Sequence, residues 1–364
     1  MRQQYLVDRA EPADLIAVVE RMCGLHAQVL SSVELALWAR IEGLTRDAVQ
    51  DALWQQRTLV KLWAMRGTLH VLSAADLGLW FAGMRSRVDT STRITDSQLE
   101  LAEFVGQALH GQLLSRTELA AAIGRLSGSP AMAEMVQGSW GGSLKPASYL
   151  GKLCFGPSNG QRVTFTNPAS WIPSRYEHIE RNALAEIAGR YLRAYGPASP
   201  TEIAAWWGTT RARARQLLAA LGDAATEISV DGEPYWMMTD DIKELASTVR
   251  TNVVRLLPGF DQWVVCACRR VGPPSRPGPG EPALDPIYRT RIYRLQGWVS
   301  PVLLVNGRIA GVWKYERRGR QIHVGIERFG PLPRWTRHPI ETEAERLAGF
   351  LGGALKLTLT SGLG

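Results

Sequence analysis

The chain has 364 residues, 45% of them hydrophobic and 21% charged, and carries a formal net charge of +8. That length suits about two or three globular domains, and no apolar run approaches the roughly 18–20 residues of a membrane span. Four cysteines in so long a chain (23, 154, 266 and 268) do not make a disulfide scaffold, and Cys266-x-Cys268 is too closely spaced and too isolated for a zinc pair.

The positive charge is mostly arginine, with lysine at positions 61, 145, 152, 243, 314 and 356 only. A guanidinium fork matches phosphate oxygens, so nucleic acid is one expected partner and an acidic ligand is the alternative. Genome base composition also raises arginine content. Met1-Arg2-Gln3-Gln4-Tyr5 is not followed by an apolar signal core. A cytoplasmic, nucleoid-associated protein is expected, acting as a monomer without metal or cofactor.

The first segment, 1–95, shows helical periodicity over 14–22, 33–41 and 47–55, then two β-like runs, 59–65 and 68–72, joined by Arg66-Gly67. Gly24 is a natural helix stop. Ser31, with Glu34 three residues on, has the spacing of a capping box that would open the next helix. Between stop and start lies a connector holding His26 and Gln28. On a helix, residues i and i+2 point nearly opposite ways; on extended backbone they point the same way. A non-helical connector therefore places an imidazole and a carboxamide side by side, able to position and deprotonate one water. A lone His-x-Gln is not specific, and an ordinary polar surface pair has the same signature.

The second segment, 96–175, repeats helices then hairpin. It has a helix over 99–113, a capped start at Ser115-Arg116-Thr117-Glu118, a helix over 147–153, and a hairpin turning at Asn159-Gly160. The third, 176–245, does so again. A helix over 183–195 is followed by a capped start at Ser199-Pro200-Thr201-Glu202, a helix over 210–221, and a hairpin around Asp231-Gly232. The matched boxes Ser-Arg-Thr-Glu-Leu-Ala-Ala and Ser-Pro-Thr-Glu-Ile-Ala-Ala suggest copies of one helix–wing unit. The remainder, 246–364, reads as an antiparallel β-rich domain with strands near 253–257, 263–268, 301–305, 308–314 and 322–326 and a closing helix over 342–356. Its Asn306-Gly307 is a type I′ turn signal, Cys266 and Cys268 are expected to face inward on a strand, and 272–280 reads as a Pro/Gly loop. The expected fold is α+β, three tandem winged-helix units followed by the β-rich domain.

Basic residues gather in three places. Arg211, Arg213 and Arg215 open a helix, with 211 and 215 on one face. Arg317, Arg318 and Arg320 sit on a hairpin tip beside Lys314. Arg289, Arg291 and Arg294 form another group. Basic hairpin tips and helix starts suit phosphate and groove contacts as a group, although any one arginine is more often an ordinary solvated side chain. Asp261, after Pro258-Gly259-Phe260, reads as turn-stabilising in preference to catalytic.

Taken together, Gly24-Leu25-His26-Ala27-Gln28, Met65-Arg66-Gly67-Thr68-Leu69-His70, Tyr195-Gly196-Pro197 with Trp206-Trp207-Gly208, Leu256-Leu257-Pro258-Gly259-Phe260-Asp261, and Val305-Asn306-Gly307-Arg308 with Gly311-Val312-Trp313 resemble the winged-helix DNA glycosylase family of AlkZ (azinomycin resistance) and YcaQ (crosslink repair). The likeness spans nearly the whole chain. It implies a C-shaped body around double-stranded DNA, with catalysis at the position of His26-Ala27-Gln28. The family motif there is Gln-x-Gln or Gln-x-Asp. The histidine departs from it and resembles a His-x-Gln subgroup associated with resistance to bulky guanine alkylators such as hedamycin and trioxacarcin. The resemblance thus implies a monofunctional glycosylase acting on N7-alkylguanine in DNA, in self-resistance or base-excision repair. His26 and Gln28 would be catalytic, and Arg66, Arg211, Arg215, Lys314, Arg317, Arg318 and Arg320 are the candidate DNA contacts. The alternative is a non-catalytic winged-helix regulator, which would bind one DNA sequence and leave adducts intact.

Overall fold

A computed structural model describes residues 1–90, 94–138, 141–173, 182–270 and 283–362; the Pro/Gly loop read at 272–280 lies outside the described residues. The chain divides into two compact units, one made of 1–48 with 188–364 and the other of 49–187. No helix of the described residues is long and apolar enough to cross a membrane.

In the 49–187 unit, strands Leu59–Trp63 and Leu69–Ser73 form the expected hairpin, with Leu62 opposite His70. The turn Met65–Gly67 places both Arg66 (φ 57°) and Gly67 (φ 69°) in the left-handed region. The sheet continues from Leu59–Trp63 to Cys154–Phe155, Thr164–Thr166 and Leu114–Ser115. Its apolar centre is Trp63, whose ring meets Phe155 at 4.7 Å and Phe165 at 6.1 Å between centroids. The Ser148 hydroxyl donates to Trp63 O and accepts from Trp63 N, both at 3.1 Å. Gly141 packs so tightly that a Cβ there would stand 2.6 Å from the Trp63 ring. Ser115 caps helix Arg116–Ser127 through the expected box. The helix expected over 147–153 is shorter and earlier, Lys145–Tyr149, because Gly151 turns left-handed (φ 71°). Helices Leu77–Thr90 and Pro130–Gly138 are additional to the expected ones, and Ser129 opens the second, its Oγ accepting from Met132 N at 3.4 Å.

Buried in this unit is His70, whose Nδ1 lies 3.0 Å from Thr68 O and so carries the ring proton. Burial pushes the imidazole down to about 3, and the Arg66 charge pushes the same way. The folded ring stays neutral while an unfolded one binds a proton below about 6.5. Stability from this group is therefore complete above pH 6.5 and falls by about 1.4 kcal/mol per pH unit as pH drops toward 3. Urea unfolding at about pH 7 and pH 5 should show His70→Phe losing roughly 2 kcal/mol less than the parent over that interval. Equal losses would mean His70 is protonated in the fold.

In the other unit, Ser199 caps helix Pro200–Trp207 through the second expected box, and Thr210 Oγ1 accepts from Arg213 N at 3.1 Å to open helix Arg211–Ala219. Strands Ala225–Val230 and Glu233–Met238 turn through Asp231 (φ 50°) and Gly232 (φ 83°), a type I′ geometry. The C-terminal sheet runs Ala354–Ser361, Gln321–Arg328, Arg308–Arg318, Val302–Val305, Val254–Leu257. Asn306 (φ 48°) and Gly307 (φ 81°) make the expected turn.

Two expectations fail here. Residues 263–268 are not a strand: Gln262–Arg270 is a helix. A short apolar run does not by itself distinguish strand from helix. Asp261 decides it, accepting from Trp263 N at 2.9 Å as an N-terminal cap. The sheet is also not wholly antiparallel. The closing helix runs Arg337–Phe350, earlier than expected, and Gly352-Gly353 then release a further strand, Ala354–Ser361, which pairs parallel to Gln321–Arg328. A helical crossover returns the chain in the same direction, which a tight turn cannot do.

Candidate active site

Helix Leu15–Arg21 closes with Gly24 N donating to Val19 O and Cys23 N to Glu20 O, Cys23 (φ 54°) and Gly24 (φ 83°) both left-handed. This is a Schellman ending. The chain then extends over Leu25–His26, and the next helix runs Leu30–Trp38. His26 and Gln28 thus lie on a short connector with extended backbone at the histidine. The second boundary is made differently from the expectation. Val29 occupies the cap position without a side-chain bond, and the Ser31–Glu34 box does not form. Glu34 is buried and accepts from Arg46 Nε at 3.0 Å, so its carboxylate is taken from the helix start.

Two side chains from distant elements pin the connector at its root. Tyr195 Oη donates to Met22 O at 2.6 Å, and burial holds its phenol well above the ordinary range, so it stays a donor. Gln262 Nε2 donates to Gly24 O at 2.8 Å, also buried. Beside Gln262, Asp261 forms a bidentate pair with Arg40 at 2.7 and 2.9 Å, both side chains fully buried, and Arg40 Nη1 also donates to Ala36 O at 2.9 Å. Asp261 therefore cross-links helix Leu30–Trp38 to the turn at 258–261 while it caps the following helix, a structural office, in line with the turn-stabilising reading. His26 is 8% exposed and Gln28 is exposed, so the imidazole is largely enclosed and the carboxamide faces solvent.

The basic candidates separate into groups. Arg211, Arg213 and Arg215 are all exposed while Ala214, Leu217 and Leu218 are buried, so the polar side of that helix is arginine at its start. Lys314 and Arg318 lie on the solvent face of the C-terminal sheet, where they line a groove of about 550 Å³ with Glu316, His323, Thr358 and Thr360. Arg318 bonds Glu316 Oε2 at 2.8 Å and holds that carboxyl below its usual range. Arg317, on the opposite face by strand alternation, donates to Leu351 O and, at 3.4 Å, to Gly352 O, capping the end of helix Arg337–Phe350. Arg320 is exposed at the hairpin tip. Arg66 belongs to the 49–187 unit, half-buried on its turn beside His70. Among the described residues no group of three or more His, Cys, Asp or Glu is placed to hold a metal ion.

The model of the AlkZ-like DNA glycosylases matches residues 19–350 of the chain. The chain belongs to this family. An interstrand DNA cross-link repair glycosylase of Streptomyces sahachiroi is 33% identical over 330 residues, covering 86% of this chain and 85% of that one. The solved structure of the Streptomyces sahachiroi DNA glycosylase AlkZ superposes with a TM-score of 0.84 at 32% identity, over 99% of this chain and 97% of the other. Of the two readings open from sequence, the glycosylase stands and the regulator does not.

Sequence reasoning missed three residues of this glycosylase that build the site's frame: Arg40, Gln262 and Tyr195. Arg40 sits in an apolar run, Leu35-Ala36-Leu37-Trp38-Ala39, and a buried arginine there was the one available hint. Gln262 carries no local signal, and Tyr195 stood out only as part of the Tyr195-Gly196-Pro197 stretch, with nothing there to point to its bond with Met22 O.

Proposed function

We propose that this glycosylase hydrolyses the N-glycosidic bond of guanine alkylated at N7 by a bulky natural product of the hedamycin or trioxacarcin kind, in self-resistance or base-excision repair. Membership in the AlkZ-like family, together with a His and a Gln on a pinned non-helical connector, carries the reading. N7 alkylation leaves a positive charge on the base, so the C1′–N9 bond breaks with its electron pair neutralising the departing purine, and no general acid is needed. The sugar becomes oxocarbenium-like, and a water oxygen bonds to C1′. His26 takes the proton from that water and returns it to solvent. Gln28 holds the water through its amide oxygen. Positioned general-base catalysis contributes about 10²–10⁴-fold, enough for a bond already labile. His26 is largely enclosed, and the solvent-facing Gln28 meets the water as DNA arrives.

The helix–hairpin segments 1–95, 96–175 and 176–245 would act as winged-helix units, with 246–364 completing the DNA surface. Arg211, Arg215, Lys314, Arg318, Arg320 and Arg66 would meet phosphates, and Arg317 would seat the hairpin on its helix. Removing one phosphate-neutralising side chain lowers the slope of log affinity against log salt by about one. Arg211→Ala and Arg215→Ala should each do so on random-sequence duplex, and unchanged slopes in both would take this helix off the DNA face.

The decisive assay incubates duplex carrying hedamycin- or trioxacarcin-type guanine adducts with and without the protein, followed by mild alkaline cleavage of abasic sites without heating, and reads the breaks in excess of the protein-free control. Strand breaks at the adducted guanines are expected. An interstrand-crosslinked duplex in parallel tests the substrate named for the Streptomyces relative. No excess of breaks in any arm would end the proposal.

A further inference from the structure

A small hairpin beside the connector's frame carries an apolar tip that the proposed chemistry does not use. Tyr293 bridges Val299, Arg294 N donates to Trp298 O at 2.8 Å, and the chain reverses through Gln296 (φ 61°) and Gly297 (φ 76°). Both tip residues are left-handed, which a glutamine adopts only under strain. The turn presents Leu295, 92% exposed, and Trp298, 45% exposed.

The stem beneath this tip is rigid. Ile292 and Val299 are buried, Tyr293 Oη donates to Val264 O at 2.8 Å, and Ser300 Oγ donates to Arg291 O at 2.9 Å. Trp298 is braced from behind by Phe260, edge to face at 5.0 Å, itself held at φ 62°. Gly259 makes room for this: a Cβ there would stand 2.8 Å from Val299 O. Phe260 is followed by Asp261, paired with Arg40, and by Gln262, bonded to Gly24 O two residues before His26. One stretch of three residues therefore braces the exposed tip and fixes the root of the candidate catalytic connector.

An apolar side chain held almost wholly in water on a strained, buttressed turn is built to enter something. Residues 286–300 contain three arginines and no carboxylate; Arg291 is paired with Glu327 at 2.7 Å, while Arg294 is exposed beside the tip, so the occupant it fits is a polyanion with apolar interior surfaces. A DNA base stack is that, and aliphatic wedges between base steps with aromatics on exposed base faces are a known physical solution. We infer that Leu295 is a wedge inserted into the base stack beside the lesion, with Trp298 packing on the base it uncovers. Resting on the proposed function, this also explains how C1′ becomes reachable without rotating a bulky adduct into a pocket. The wedge opens the stack, and the braced frame holds the connector at the opened sugar.

The test is fluorescence of 2-aminopurine placed next to an N7-methylguanine in duplex DNA, at saturating protein, for the parent, Leu295→Ala, Trp298→Ala and Leu295→Met. Unstacking brightens the probe. The parent should raise it several-fold, Leu295→Met should keep the rise, and Leu295→Ala should abolish it while binding duplex at most about tenfold more weakly. With its side chain in solvent, Leu295→Ala should also keep the parent's melting temperature. An equal rise with Leu295→Ala, or none with saturating parent, overturns the wedge; the first result would leave the tip to a protein partner. The fluorescence is read before excision accumulates, because an abasic neighbour also brightens the probe, and excision of the bulky adduct in its own duplex reports on the proposed function separately.

Discussion

Replacing His26 by alanine should lower excision of an N7-alkylguanine by roughly 10²–10⁴-fold, the span a positioned base contributes. Its affinity for undamaged duplex should not change. Single-turnover kinetics separate the two effects, because a loss confined to the chemical step lowers the rate at saturating enzyme. His26→Gln restores the residue found in the family motif and should recover part of the rate, since a carboxamide orients water without taking its proton. Gln28→Ala should fall in the same range, and the double variant should lose little more than either single, because two groups acting on one water fail together. Single-variant rates equal to the parent's would remove both residues from the reaction. The extended backbone at His26 and the two pinned carbonyls at Met22 and Gly24 make a rate loss by connector collapse the rival explanation. An unchanged melting temperature for His26→Ala excludes it.

The second large effect is on folding. Arg40→Ala should destabilise the unit by about 3–5 kcal/mol, as breaking a buried ion pair leaves the other charge uncompensated. Here that charge is Asp261, fully buried and bonded through both oxygens to the missing guanidinium. Domains are stable by only about 5–15 kcal/mol, so the variant should unfold at markedly lower urea. Removing both charges at once, Arg40→Met with Asp261→Leu, should cost much less than Arg40→Ala despite deleting the same ion pair. What Arg40→Ala loses is the compensation of a charge, and an apolar pair of similar volume has none to compensate. Equal losses in the single and double variants would show that the Trp263 N cap carries the stability instead. In the Arg40→Ala protein that still folds, excision should drop as well, because Asp261 and Gln262 are adjacent and Gln262 holds Gly24 O.

Much of this glycosylase was legible along the chain. The left-handed stop at Gly24, the boxes at Ser115 and Ser199, and the turns at Arg66-Gly67, Asp231-Gly232 and Asn306-Gly307 stand where the sequence placed them, and the turn read at Asn159-Gly160 lies one residue on, at Gly160-Gln161, with Asn159 paired to Arg162. Each depends on groups within a few residues of one another, so the code is local. The same locality explains the connector, a stop and a start with two polar residues between. It also explains the failure at Ser31, where Glu34 was claimed by Arg46 and the helix began without its box.

Tertiary structure alone decided the rest. The run at 262–270 became a helix because Asp261 caps it, and Asp261 is held ready by Arg40, 221 residues away. The last strand runs parallel to its neighbour because a helix, not a turn, brings it back. Leu295 reads as one more apolar residue in sequence, and only the stem and the Phe260 brace leave it in water. Turn and cap preferences are backbone properties of neighbouring residues, written in order along the chain. Burial, charge pairing and exposure depend on which distant groups arrive at the same place, and no short stretch of sequence carries that information.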